Sequence, residues 1–207
     1  MVEKNKPTSM TCMISNKHRV VFIHVPKCAG TSIEAYLENF EFHIEGHYHA
    51  THRNLLQNSK YKNYYKFSFV RNPYDKMVSE FKWFTDQLNE WNLPHCREYY
   101  RGVDFKTFVI KFTTLHPAQS PGDPCHLYSQ YNILEPLDKI NYIGRFENLQ
   151  EDFNIVCDNI GIPHKELPQK HVSKHKHYTE YYDDETRDIV ARKYAKDIEI
   201  FGYKFGG

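Results

Sequence analysis

Apolar residues run without a break from Val20 to Ile23 and resume at Val25 (VVFIHV), after which Pro26 and Lys27 interrupt the pattern. A short β-branched run of this kind predicts a strand covered on both faces. Beyond Thr31 the period changes. Ile33, Tyr36, Leu37 and Phe40 recur every three or four residues, which predicts a helix. The same switch occurs again further on. YYKFSFV predicts a second strand ending at Val70, Asn72 is a good helix N-cap, Pro73 suits the first helical position, and Tyr74, Met77, Val78, Phe81 and Phe84 form an apolar stripe.

A further helix is predicted from Phe105 to Phe112 behind Asp104, and residues 113–125, with three prolines and Gly122, read as loop. INYIG (140–144) predicts another strand. Leu149, Phe153, Val156 and Ile160 predict the helix after it, ended by Gly161. Val190, Tyr194, Ile198 and Phe201 place one last helix from about Asp184. Strands alternating with helices imply an α/β fold whose central, mainly parallel sheet is flanked by helices, with ligands beyond the carboxyl ends of the strands. Both strand-to-helix junctions should then share one crevice.

The 207 residues suit one domain. We place it at 19–207, behind a polar N-terminal segment, 1–18, expected to be flexible. Aromatic content is 15%, with 16 Tyr and 14 Phe, so the core should be aromatic-rich. With 27 basic and 26 acidic residues, the net charge of +1 supplies no global field for nucleic acid or anionic membrane, and any anion site must be local. The five cysteines lack a CxxC pair and fit reduced thiols better than a disulfide framework, a Cys96–Cys125 bridge being the alternative. The polar start lacks the apolar core of a signal peptide, and no later run approaches the roughly 20 residues of a membrane span. A soluble, cytoplasmic protein is therefore expected.

At the first junction, FIHVPKCAGTS, the free N–H groups opening the helix, its dipole and the hydroxyls of Thr31 and Ser32 favour an anion. Ala29 and Gly30 let the backbone come close, and Lys27 adds a movable charge. The usual GxxxxGK[ST] phosphate loop carries its lysine after the last glycine; here Lys27 precedes Gly30. At the second junction, VRNPYDKMVSEF sets Arg71 before the helix and Ser79 at nearly the azimuth of Asn72, so an arginine and a hydroxyl can pinch one phosphate. Together the junctions ask for a ligand with two separate anionic ends.

VPKCAGTS and FSFVRNPYDKMVSEF resemble the 5′-phosphosulfate loop and 3′-phosphate motif of sulfotransferases that use 3′-phosphoadenosine 5′-phosphosulfate (PAPS), in the branch of the carbohydrate (Golgi-type) enzymes and their small bacterial relatives. HATHRNLL, YIGRFENLQEDF and HYTEYYDDETRDIVARKYAKDIEIFGY extend the similarity over roughly residues 20–203. The resemblance implies a P-loop-like three-layer sandwich. It also implies that Lys27, Cys28, Ala29, Gly30, Thr31 and Ser32 hold the 5′ end and Arg71 and Ser79 the 3′-phosphate. PAPS would be the sulfuryl donor and PAP the product, with no metal ion and with a hydroxyl acceptor, favoured as a carbohydrate; a small metabolite or a protein tyrosine is open. A Golgi location would require that a preceding anchor has been removed.

The attacking hydroxyl must give up a proton, and the resemblance falls on His49, in HYHATH, as base, with Lys27 stabilising the leaving phosphate. His43, His47, His49 and His52 could instead form a metal site, although their spacing fits neither HExxH nor a zinc finger. Arg145 either faces the crevice or pairs with a carboxylate such as Glu147, and KHVSKHKHY (170–178) is either a loop closing over the nucleotide or a solvated connection. The rival functions are a nucleotide kinase, weakened by the missing GxxxxGK[ST] and magnesium-holding carboxylate, and a non-catalytic nucleotide-binding module.

Overall fold

The computed structural model describes residues 12–45, 55, 58–86, 94–120, 124–170 and 176–207. Among these, β1 (Cys12–Ser15), β2 (Val20–Ile23), β3 (His43–Glu45), β4 (Tyr65–Val70) and β5 (Tyr142–Arg145) form one sheet in the order β3-β1-β2-β4-β5. Strands β2, β4 and β5 are parallel, with Phe22 beside Phe67 and Phe67 beside Tyr142. Strand β1 runs antiparallel to both β2 and β3. The parallel half is the one read from the hydrophobic runs; the antiparallel half is a correction to it. All four residues of β1 are buried, although they lie in the polar stretch expected to be flexible. CMIS is too short and too mixed to announce itself, and it becomes a strand by pairing with β2 across a tight turn that holds Arg19 at φ 55°.

Helices whose full span is described are α1 (Gly30–Leu37), α2 (Pro73–Thr85), α3 (Pro94–Tyr99), α4 (Phe105–Thr114), α5 (Gln130–Leu134), α6 (Leu149–Ile160), α7 (Asp184–Lys193) and α8 (Ala195–Phe201). Their ends obey local chemistry. Asn72 Oδ1 accepts the Tyr74 N–H at 3.1 Å, Asp104 accepts that of Thr107 at 2.8 Å, and Gly161 ends α6 in the left-handed region at φ 71°. The single C-terminal helix expected from Asp184 is two helices, broken at Tyr194 (φ −113°, ψ 29°). Beyond the break, the buried Asp197 accepts the backbone N–H groups of Gln130 and Tyr131 and so caps α5.

Two apolar clusters hold the layers together. One packs α1 and α6, through Ile33, Leu37, Phe153 and Val156, against sheet residues such as Val21, Phe67 and Phe69. The other joins α2, α4 and α7 through Met77, Val78, Phe108, Val109, Phe112 and Val190. Each fully buried side chain of this size contributes about 1.5–3 kcal/mol of transfer free energy. All five cysteines are buried free thiols, so the Cys96–Cys125 bridge is not formed. No helix among the described residues is long and apolar enough to cross a membrane.

Candidate active site

Because β2, β4 and β5 are parallel neighbours, their carboxyl ends lie side by side. Lys27 follows β2, Arg71 follows β4 directly, and Glu147 follows β5. This edge is where open α/β sheets take ligands.

The first junction is built from backbone. Lys27 and Ala29 both sit at positive φ (65° and 63°), a conformation that costs a non-glycine residue about 1 kcal/mol or more. Ala29 starts α1 without any side-chain cap. Among the described residues no acceptor meets the N–H of Gly30 or Thr31, so these donors stay open at the positive end of the helix. Gly30 is required by packing: a Cβ there would lie 2.1 Å from His24 Nε2, and the His24 ring is held by Glu34 at 2.7 Å. Ser32 is buried and accepts the Lys170 N–H at 3.3 Å, while Thr31 is exposed. Lys27 is half-buried, with its ammonium 4.2 Å from the centroid of the Trp83 ring. Burial pushes its pKa down to about 8; Glu80 pulls it up and Arg71 and Lys76 push it down.

The second junction is built from side chains. Arg71 is only 7% exposed. Its Nε and Nη2 both reach Asp75 Oδ2 at 2.8 Å, its Nη1 donates to the Lys27 carbonyl at 3.1 Å, and its guanidinium lies 3.9 Å over the Phe146 ring. The two junctions are therefore in direct contact. Ser79, one helical turn beyond Asp75, is 4% exposed. Among the described buried polar residues it is the one whose side chain has no hydrogen-bond partner. A buried hydroxyl left unpaired costs free energy unless something else satisfies it.

Several residues that sequence reasoning did not single out bind the junctions together. Gln130, fully buried, accepts the Arg71 N–H at 2.8 Å and the Cys28 thiol at 3.3 Å, and its Nε2 donates to the Arg71 carbonyl. This contact places Cys28 in packing, and burial pushes its thiol up to about 12, far from a reactive thiolate. Glu147 accepts the Asn72 N–H at 2.7 Å and the Tyr203 hydroxyl at 3.1 Å. Among the described residues Arg145 forms no ion pair with Glu147 or another carboxylate: its Nη2 donates to the Phe201 carbonyl at 2.5 Å and its guanidinium lies over Tyr203, tying down the end of α8. Asp75 was legible as an i,i+4 partner of Arg71. Gln130 was not, since 59 residues separate it from Arg71 and no pattern links them.

His43 lies on β3, whereas His47, His49, His52 and residues 171–175 of the basic stretch fall outside the described residues. No metal-holding group of His, Cys, Asp and Glu occurs among the described residues.

The sequence profile of the Sulfotransferase family matches residues 10–204, nearly the whole chain, and the protein belongs to that family. It is similar to human carbohydrate sulfotransferase 9, with 25% identity over 89% of this chain and 47% of the relative. Carbohydrate sulfotransferase 10 of Xenopus laevis is 23% identical over 92% of this chain and 66% of its own length, and mouse carbohydrate sulfotransferase 11 is 25% identical over 72% and 53%. The chain thus spans about half to two thirds of the length of these relatives. No solved structure matches.

Proposed function

We propose that the protein transfers the sulfuryl group of PAPS to a hydroxyl of a carbohydrate and releases PAP. The observation that carries this reading is the Arg71 guanidinium, held by Asp75 and the Lys27 carbonyl, with the buried, unpartnered Ser79 one helical turn beyond Asp75 on the same helix. It supports a 3′-phosphate seat one hydrogen bond away from the loop that would take the 5′ end. The open N–H groups of Gly30 and Thr31, with Lys27, Cys28, Ala29 and Ser32, suit that end chemically. In this reading the sheet and its helices form a P-loop-like three-layer scaffold.

PAPS supplies an activated sulfuryl group on a phosphate that can depart. Lys27, protonated at neutral pH with its pKa near 8, neutralises charge developing on the departing phosphate oxygen. His49 takes the proton of the attacking alcohol, leaving the sulfate ester and PAP. Carbohydrate as acceptor is supported by the names of the three relatives described above. Labelled PAPS presented with a panel of sugars, small phenols and tyrosine peptides, with products identified by mass, tests the whole reading. Transfer to a sugar hydroxyl, lost in His49→Ala with PAP binding intact, is expected. Transfer confined to phenols or peptides would overturn the acceptor class, full activity in His49→Ala the base, and turnover only with ATP and magnesium the donor.

A further inference from the structure

Near its C-terminal end α2 carries three aromatic side chains, Phe81, Trp83 and Phe84, in unlike surroundings. The Phe81 ring packs edge-on against Phe105 and Phe108, and the buried Phe84 packs against Tyr100 and Phe112, so both belong to the second apolar cluster. Trp83 rests against the same cluster but stays partly exposed, and the Lys27 ammonium stands 4.2 Å from the centroid of its ring. Atoms stacked on a ring approach to about 3.5–4.0 Å, so the face under that ammonium can hold the charge or another flat group, not both. Position matters as much as shape. Lys27 is the side chain assigned to the departing phosphate oxygen, and in an in-line transfer the acceptor hydroxyl stands across the sulfur from that oxygen. A ring that Lys27 touches therefore borders the point at which the acceptor arrives.

We propose that Trp83 is the stacking surface for the sugar ring of the acceptor, and that Lys27 covers it until the nucleotide draws the ammonium onto its own anionic group. The inference rests on the sugar acceptor and the Lys27 role given above. An indole with one apolar face at a charged rim suits a pyranose, whose C–H face is apolar while its hydroxyls stay free to bond around the edge. Trp83 then acts on which acceptor binds and when, and takes no part in moving the sulfuryl group. The donor comes first, because only its charge uncovers the ring. Donor and acceptor affinities are thereby coupled through one movable side chain, and removing that side chain uncouples them.

The test reads tryptophan fluorescence in the Trp91→Phe protein, which leaves Trp83 as the one indole in the chain. PAP should change the emission, and adding Lys27→Ala should remove most of that change, the ring then being bare from the start. Methyl β-galactoside and methyl β-N-acetylglucosaminide serve as sugar probes. At least one should bind about tenfold more tightly with PAP present than without it, and in the Lys27→Ala form it should bind equally well without PAP. A merely structural Trp83 produces neither response. No emission change with PAP or with either sugar, sugar binding indifferent to PAP while Lys27 is present, or a PAP response as large without Lys27, as a stacked adenine would give, would each overturn the proposal. With the sugar found to accept sulfate, Trp83→Leu should raise acceptor KM about tenfold and shift PAP affinity less than about twofold, with Trp83→Phe in between. If Trp83→Leu does not fold, Trp83→Phe and the fluorescence, which keeps the indole, decide. PAP-gated sugar binding in a protein that transfers no sulfuryl group would remove the function and leave the subsite; sugar sulfation with acceptor KM unchanged in both variants would do the reverse.

Discussion

The two strand-to-helix junctions meet at one hydrogen bond, from Arg71 to the Lys27 carbonyl, yet they are built by opposite means. The first has no side-chain cap, carries two non-glycine residues in the left-handed region, leaves N–H groups open and parks a lysine of lowered pKa on an aromatic ring. The second is fully tied down: Asn72 caps α2, Asp75 neutralises Arg71, and Gln130 and Glu147 hold the Arg71 and Asn72 backbone. In the proposed function an anion would meet open donors and a movable charge at one side, and at the other a fixed guanidinium already in position. That division suits a ligand gripped firmly at the end that does not react and followed electrostatically at the end that does.

The contrast can be broken residue by residue. Lys27→Ala should have the largest effect, a fall in kcat of about 10²–10³-fold with much smaller loss of PAP affinity, since the lysine is assigned to charge that appears during transfer; steady-state kinetics and calorimetry separate the two. Arg71→Ala should do the reverse at its end, weakening PAP binding about 100-fold, because it removes a buried, hydrogen-bonded charge and leaves Asp75 unpaired. Gly30→Ala should cost about 1–3 kcal/mol of stability by overpacking against His24, and a second change, His24→Ala, should recover much of it in thermal or denaturant melts. Ser79→Ala is the smallest: about 1 kcal/mol, or roughly fivefold, in PAP affinity with stability unchanged, because the free protein has no Ser79 hydrogen bond to lose.

The second junction was the more legible from sequence because its parts are local. Asn72, Pro73 and Ser79 stand at positions fixed by the cap and the turn of one helix, and the predicted cap is the one seen. The first junction could be located but not shaped, since the positive φ of Lys27 and Ala29 and the clash that demands Gly30 depend on a ring, His24, packed across the turn. Strand β1 escaped because four mixed residues gain their burial only from two partners in the sheet. Lys76 and Glu80 stand at i,i+4 spacing in the sequence, but only the fold shows that both are buried and that His126 completes them. Gln130 is the extreme case, a residue of polar type whose every contact is made at long range.

Calorimetric titration of PAP into the wild type, Lys27→Ala, Arg71→Ala and the double variant tests most directly whether one crevice holds the nucleotide at both ends. The account predicts one site per chain, strong weakening from Arg71→Ala, modest weakening from Lys27→Ala, and the weakest binding in the double variant. No heat from the wild type, or Arg71→Ala binding as tightly as wild type, would contradict it.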